Sequence, residues 1–185
     1  MGLLLKINFS LPYTPNDEYN EIGYHTTLLE NKDSIIENGF LFSNGHNEWL
    51  GEGIYFWDNK VNATWWKKRN AKKGKKCIFV CELKCLSANY LDLDNKFNMR
   101  KFKEFSKKFL KSSVGKKQVK PKFKNYDQCR KFFCDIYCSH NDIYILSYTF
   151  DHDKMNQFGF KEETVKRRQI CVRDSKYISI KSVEE

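Results

Sequence analysis

The sequence predicts an α+β fold in which strands from both ends of the chain form a sheet and a basic helical segment is inserted between them. Runs rich in β-branched and aromatic residues, which favour strands, occur in the first half and near the carboxyl end. Between them, Lys96–Leu110 has apolar residues at helical spacing, and Tyr126–Cys138 is expected to form a second helix. The 185 residues suit one domain. We therefore expect residues 1–185 to form one domain, with residues 96–140 as a basic, mainly helical insertion.

The first half of the chain is predicted to alternate strands with short helices. Its strands are identified by β-branched and aromatic residues, and its helices by a one-sided apolar pattern and by capping residues at their ends. The predicted elements are a strand over Glu21–Leu29, a helix over Lys32–Asn38 capped by Gly39, a strand over Ile54–Trp57, a helix over Asn59–Lys72 capped by Asp58 with Val61, Trp65 and Trp66 inward, and strands over Cys77–Cys85 and Tyr90–Asp94.

The second half begins with a helix whose phenylalanines form a predicted buried stripe, at Phe97, Phe102, Phe105 and Phe109. Residues 111–124 lack apolar periodicity and are predicted to be a basic loop. The remaining predicted elements are a helix over Tyr126–Cys138, a strand over Ile143–Phe150, a turn at Gln157–Gly159, and strands over Gln169–Val172 and Tyr177–Ile180.

Positive charge is concentrated in two segments. Residues 96–131 carry 14 Lys or Arg and 2 acids, and residues 60–76 carry 8 Lys or Arg and no acid. Because the whole chain has a net charge of +10, the remaining residues are net acidic. Lysine-rich composition alone explains many of these residues but not why acids are so few in these two segments and frequent elsewhere. Clustered cations among aromatic residues indicate a polyanionic partner, and nucleic acid is the candidate that fits best.

The seven cysteines and the amino-terminal segment predict a soluble, cytoplasmic protein with reduced thiols. Seven is an odd number, and the spacings are not those of a small disulfide-stapled domain. The opening MGLLLKINFS has three consecutive leucines, too few for a signal-peptide core or a membrane span. We expect the two groups of three, Cys77, Cys81 and Cys85 and then Cys129, Cys134 and Cys138, to pack in the core, with a metal site as the lesser alternative.

Three segments far apart in sequence carry residues suited to ligand binding. The first is Gly-Tyr-His-Thr-Thr at residues 23–27, the second is Gly-Glu-Gly-Ile-Tyr-Phe at residues 51–56, and the third is Arg-Gln-Ile-Cys-Val-Arg-Asp at residues 168–174. Taken alone, His25 is explained by a strand end and Tyr55 by a core strand. The order and separation of the three segments favour a common site.

This order resembles the ADP-ribosyltransferase superfamily, in the branch related to diphtheria toxin and the poly(ADP-ribose) polymerases. The resemblance spans roughly residues 23–66 and 163–180 and does not cover the middle of the chain. It implies a split β-sheet core flanked by helices, with NAD as a substrate and no metal. It also implies three catalytic positions, which match His25, Tyr55 and Gln169 here.

The resemblance assigns a role to each matched residue. Tyr55 would stack on nicotinamide, with Ile54 and Phe56 facing the core, and His25 would hydrogen-bond the adenosine ribose. The backbone of Thr26 would hold the nicotinamide amide, between Tyr24 on the same strand and the glycines of the next. Gly53 suits this place because a glycine lets the backbone pass close to a ligand. The implied NAD-binding set is Tyr24, His25, Thr26, Gly53 and Tyr55.

Two positions depart from the family pattern. Thr26 replaces a glycine, which is compatible with a role for its backbone alone. Gln169 stands where a glutamate is expected, and it offers neither a full negative charge nor a base for the reaction. Glu162 and Glu163 are alternative acids if the strand begins earlier than predicted. Relatives without the glutamate tend to transfer a single unit or to use an acceptor that is already charged.

The sequence therefore predicts a mono-ADP-ribosyltransferase that modifies nucleic acid, RNA before DNA, and serves as an intracellular toxin or defence effector with a neutralising antitoxin partner. The alternatives are a protein acceptor and a nucleic-acid-binding module without catalysis. The residues predicted to contact nucleic acid are Lys116, Lys117, Lys120, Lys122, Phe123, Lys124 and Tyr126.

Overall fold

A computed structural model describes residues 17–43, 48–69, 74–112, 126–155 and 161–185. Within these ranges the predicted α+β class is confirmed, because seven strands form a mixed sheet and four α-helices pack around it. The strands are β1 (Glu18–Leu28), β2 (Ile54–Trp57), β3 (Lys76–Leu86), β4 (Tyr90–Asp92), β5 (Ile145–Met155), β6 (Lys161–Val172) and β7 (Ile178–Glu184). The helices are α1 (Lys32–Asn38), α2 (Lys60–Lys68), α3 (Lys96–Lys111) and α4 (Tyr126–Asn141).

The sheet consists of two well-paired halves with a narrow join between them. Its strand order is β4-β5-β6-β2-β1-β3-β7. Strand β1 pairs with β3 along its full length, and β2 pairs with β6 along all of Ile54–Trp57. By contrast, β1 and β2 share one register pair, Tyr24 with Trp57. Strand pairing is thus continuous across the sheet and weakest at its centre, and the split of the sheet implied by the resemblance stays a prediction.

The core lies on both faces of the sheet, and the strand pleat decides which side chains enter it. Ile54 and Phe56 are each 1% exposed and pack on one face with Phe79 and Ile170, whereas Tyr55 between them is half-buried on the other. The predicted alternation in β2 is therefore confirmed. Core packing is also confirmed for the cysteines at 77, 81, 85, 134 and 138, while Cys129 is only half-buried.

Helices α3 and α4 pack together through aromatic side chains. Phe102 and Phe105 contact Tyr137, with ring centroids 5.3 and 5.1 Å apart. The predicted stripe is wrong at Phe97, which is 40% exposed because it lies in the first turn of α3, outside this contact. Lys101 Nζ instead lies 4.2 Å from the centre of the Phe97 ring.

Helix α2 differs from its prediction in its cap and its buried face. Asn59, rather than Asp58, caps the helix by accepting a hydrogen bond from the Asn62 backbone N–H. The helix ends at Lys68, and Val61 is 76% exposed instead of facing inward. Ala63 takes the buried position, because the face that turns to the sheet carries Asn62 and Ala63.

Strands β5 and β6 extend further than predicted and pair as a long antiparallel hairpin. The added length places His152 of β5 opposite Val165 of β6. The turn predicted at Gln157–Gly159 lies outside the described residues. Among the helices in the described ranges, none has the length and apolar character that crossing a membrane would require.

Candidate active site

A cavity of about 780 Å³ lies at the join between the two halves of the sheet. Strand β1 contributes His25 and Thr26 to its wall, and strand β2 contributes Tyr55, Phe56 and Trp57. The other walls come from α2, the ends of β5 and β6, and the segment that leads into β2. The cavity therefore lies beside the place where β1 and β2 share a single register pair.

Four of the six residues predicted for catalysis or NAD binding line this cavity, namely His25, Thr26, Tyr55 and Gln169. Tyr24 packs instead beside Trp57 and Ala63. Gly53 does not line the cavity, and the close packing around it explains why this residue is a glycine. A Cβ added there would lie 2.5 Å from Cys171 Sγ and 2.7 Å from the Val172 carbonyl oxygen, so only glycine lets β2 approach β6 this closely.

His25 is held by a hydrogen bond across the join. Its Nδ1 lies 2.8 Å from the Tyr55 carbonyl oxygen, which can only accept, so Nδ1 carries the proton. Burial lowers the pKa of His25 and outweighs the opposing effect of this hydrogen bond. The ring is therefore neutral near pH 7, and Nε2 is a hydrogen-bond acceptor.

The Tyr55 hydroxyl forms hydrogen bonds with the backbone of the turn before β2. It donates to the Gly51 carbonyl oxygen at 2.6 Å and accepts from the Leu50 backbone N–H at 2.9 Å. Burial raises the pKa of Tyr55 far above its usual range, with nearby Cys171 adding to the effect. Tyr55 can thus offer the cavity its aromatic ring but not an acidic proton.

Gln169 lies in β6, opposite Trp57 of β2 and Tyr148 of β5. Within the described ranges, its Oε1 is buried and has no hydrogen-bond partner. An unsatisfied buried acceptor costs about 1–3 kcal/mol. Such a cost is typical of a functional site, where a ligand supplies the missing donor.

The sequence reasoning missed much of the aromatic wall. All four tryptophans of the chain, at 49, 57, 65 and 66, line the cavity. Trp65 is covered by the guanidinium of Arg167, whose Cζ lies 3.7 Å from the ring centre. The adjacent Trp65 and Trp66 in a helix that directly follows the Tyr55 strand were the available signal, but they were assigned to the core.

Glu48 is a buried carboxylate in the cavity wall, and no motif in the sequence marks it. It is 4% exposed and accepts hydrogen bonds from Ser43 Oγ at 2.5 Å and Lys131 Nζ at 2.6 Å. Burial disfavours the charge on Lys131, but the hydrogen bond to Glu48 and the negative charges of Glu48, Asp135 and Glu52 together raise the Lys131 pKa. The alternative acids Glu162 and Glu163 do lie in β6, yet Glu163 is six residues, or about 20 Å of strand, before Gln169.

Side chains of helix α4 form hydrogen bonds with the segment at residues 48–52, which leads into β2. Arg130 Nε donates to the Trp49 carbonyl oxygen at 2.9 Å, next to the Lys131–Glu48 pair. One turn further along, Asp135 Oδ1 accepts from the Glu52 backbone N–H and from Arg173, both at 2.8 Å. One wall of the cavity is therefore held in place by helix α4.

The predicted nucleic-acid contacts at Lys116, Lys117, Lys120, Lys122, Phe123 and Lys124 lie outside the described residues. Tyr126 is described, begins α4 and is 92% exposed. An exposed tyrosine beside this basic segment is available to stack on a base.

Comparison with known proteins adds a distant relative of uncharacterized function. No protein-family model matches the chain. Part of the chain is similar to the uncharacterized protein MJ0359 of Methanocaldococcus jannaschii, with 34% identity over 76 residues. The match covers 38% of this chain and 36% of the relative's length, so the chain spans well under two thirds of that protein.

Proposed function

We propose that this chain is a mono-ADP-ribosyltransferase that uses NAD to modify nucleic acid, with RNA as the preferred acceptor. One observation carries the proposal. His25, Tyr55 and Gln169, which the sequence resemblance selected from three distant segments, line the same cavity. The wider role as an intracellular toxin or defence effector, with an antitoxin partner, rests on resemblance to the family alone.

The cavity offers suitable groups for each part of NAD. The Tyr55 ring and the tryptophans provide flat apolar surfaces for nicotinamide, and such ring pairs contribute about 1 kcal/mol each. His25 Nε2, as an acceptor, suits a ribose hydroxyl. Gln169 Oε1 lacks a partner among the described residues and offers a partial negative charge where the ribose develops positive charge.

The distribution of charge favours nucleic acid as the acceptor. The acid-free segment at residues 60–76 includes α2. Three of its residues, Trp65, Trp66 and Arg69, line the cavity. Positive charge therefore continues up to the cavity wall, where a phosphate backbone would place an acceptor nucleotide. A nucleic-acid-binding module without catalysis is the second candidate, favoured by glutamine rather than glutamate at position 169.

The deciding experiment uses NAD labelled in its adenylate phosphate, incubated with the protein and cell lysate. The labelled material is then divided between nuclease and protease digestion. We expect ribonuclease, and not protease, to release the label. Protease-sensitive label would favour a protein acceptor, and the absence of label would favour the module without catalysis.

NAD is expected to raise the thermal midpoint of the purified protein. A ligand that binds only the folded state at a hundredfold excess over Kd stabilises it by about 2.7 kcal/mol. Differential scanning fluorimetry measures the shift, and ATP at the same concentration controls for non-specific anion binding to a chain of net charge +10. Equal shifts with ATP and NAD, or no shift with either, would contradict a specific NAD site.

Replacing Lys116, Lys117, Lys120, Lys122 and Lys124 together by glutamine is expected to weaken RNA binding and flatten its salt dependence. Each single-strand phosphate contact contributes about 0.7 to the slope of log K against log salt. Titration at several salt concentrations measures this slope. A matched variant has five lysines of α3 replaced by glutamine, at positions 96, 103, 107, 108 and 111. It tests whether RNA binding depends on where the lysines lie or only on the total charge of the protein. Unchanged RNA binding and modification in the loop variant would exclude this segment as the RNA contact.

A further inference from the structure

His152 is a histidine of the cavity wall that the proposed mechanism has not used. It lies in β5, and its ring stacks on Trp49 with a centroid distance of 5.6 Å and an interplanar angle of 28°. On its other side Trp65 lies 5.8 Å away. Its Nε2 is buried and, within the part of the chain that the structure describes, has no hydrogen-bond partner.

The surroundings of His152 keep its ring neutral. Burial lowers the pKa of His152, and the positive charges of Arg167 on β6 and Arg69 at the end of α2 lower it further. Asp151, its neighbour in β5, opposes these effects without overcoming them. A neutral imidazole has one nitrogen with a free lone pair, so His152 can accept a proton near pH 7.

The neutral His25 also has an acceptor nitrogen, but the proposed function assigns its Nε2 to a ribose hydroxyl, and the remaining polar groups of the cavity are less able to accept a proton. The Glu48 carboxylate already accepts hydrogen bonds from Ser43 and Lys131. The Tyr55 hydroxyl is bound on both sides by the turn before β2, and an amide such as Gln169 is not a base at neutral pH. Among the described residues of this wall, His152 combines a neutral basic nitrogen with an unfilled hydrogen-bonding position.

We propose that His152 is the general base that activates the acceptor in this cavity; the inference rests on the proposed function. The bond between C1′ of the ribose and the nicotinamide nitrogen breaks, and its electron pair leaves with nicotinamide. An acceptor hydroxyl or ring N–H forms the new bond to C1′ and gives its proton to Nε2 of the His152 tautomer that carries its own proton on Nδ1; the proton then passes to solvent. The acceptor is thus a group that must lose a proton, rather than a phosphate that is already ionised.

The test compares the wild-type protein with His152→Ala and His152→Gln in transfer of labelled ADP-ribose from NAD to total RNA. General-base catalysis contributes about 100-fold or more, so we expect both variants to lose about that factor in the single-turnover rate. The NAD-induced thermal shift is expected to remain, and added imidazole is expected to restore about tenfold of the lost rate in His152→Ala alone, because alanine leaves space for it. His140→Ala on α4, an exposed histidine, is the matched control.

The remaining outcomes separate this inference from the proposed function. If both His152 variants transfer at nearly the wild-type rate, or if they lose the NAD-induced shift together with transfer and imidazole restores nothing, His152 is not the base. If the folded wild-type protein transfers nothing to RNA, the proposed function itself is overturned, and the reaction that the base would serve is absent.

Discussion

Gln169→Ala is expected to lower turnover about 100- to 1,000-fold, the effect of losing one preorganised contact to a charged transition state. The same change should leave the free energy of unfolding unchanged or raise it by about 1 kcal/mol. The reason is that Oε1 is a buried acceptor without a partner among the described residues, so its removal ends a desolvation cost. Steady-state kinetics with labelled NAD and urea unfolding measure the two quantities on one preparation.

The combination of lost activity and retained stability is what distinguishes a functional glutamine from a structural one. Gln128→Ala, an exposed glutamine on α4, is the control and should change neither quantity. Gln169→Glu tests the missing charge and should retain or alter activity rather than abolish it. Wild-type turnover in Gln169→Ala would show that the third catalytic position lies elsewhere, with Glu48 as the cavity's alternative.

Tyr55→Phe is expected to lower the free energy of unfolding by about 2–4 kcal/mol while keeping the NAD-induced thermal shift. The loss arises because the hydroxyl satisfies two backbone groups, Leu50 N–H and Gly51 C=O, and each buried group left unpaired costs about 1–3 kcal/mol. The phenylalanine ring still provides the flat surface for nicotinamide. Urea unfolding measures the loss, and scanning fluorimetry with and without NAD measures the shift.

Tyr126→Phe provides the matched control, because that tyrosine is 92% exposed and should tolerate the change. Tyr55→Ala removes the ring as well and should lose both stability and the NAD-induced shift. A stable Tyr55→Phe protein that fails to respond to NAD would reverse the assignment, since the hydroxyl rather than the ring would then contact the ligand.

Local patterns in the sequence were sufficient to predict where several helices and strands begin and end. The predicted first and last residues of α1 and β2 agree with the structure. Gly39 follows the last residue of the helix, and the glycines at 51 and 53 directly precede the short aromatic strand. Helix α2 was predicted too long because lysine-rich sequence carries little information about where a helix ends. Its cap was misplaced by one residue because Asp58 and Asn59 are both good capping residues.

The site was predictable only where a motif marked it. His25, Tyr55 and Gln169 stand in recognisable segments, whereas Glu48 and His152 do not. His152 reaches the cavity because β5 pairs with β6 and β6 pairs with β2, a consequence of long-range strand pairing that no local pattern contains. Glu48 depends in the same way on its partner Lys131, which comes from a distant helix.

The narrow join in the sheet is reinforced by contacts other than strand pairing. Each half-sheet is stiffened by its own ladder, β1 with β3 on one side and β2 with β6 on the other. The Tyr24–Trp57 pair, the hydrogen bond from His25 to the Tyr55 carbonyl oxygen, and the ion pair of Arg168 on β6 with Glu21 on β1 all connect the halves. The β1 and β2 walls of the cavity are therefore held relative to each other by side chains that cross the join as well as by the single register pair.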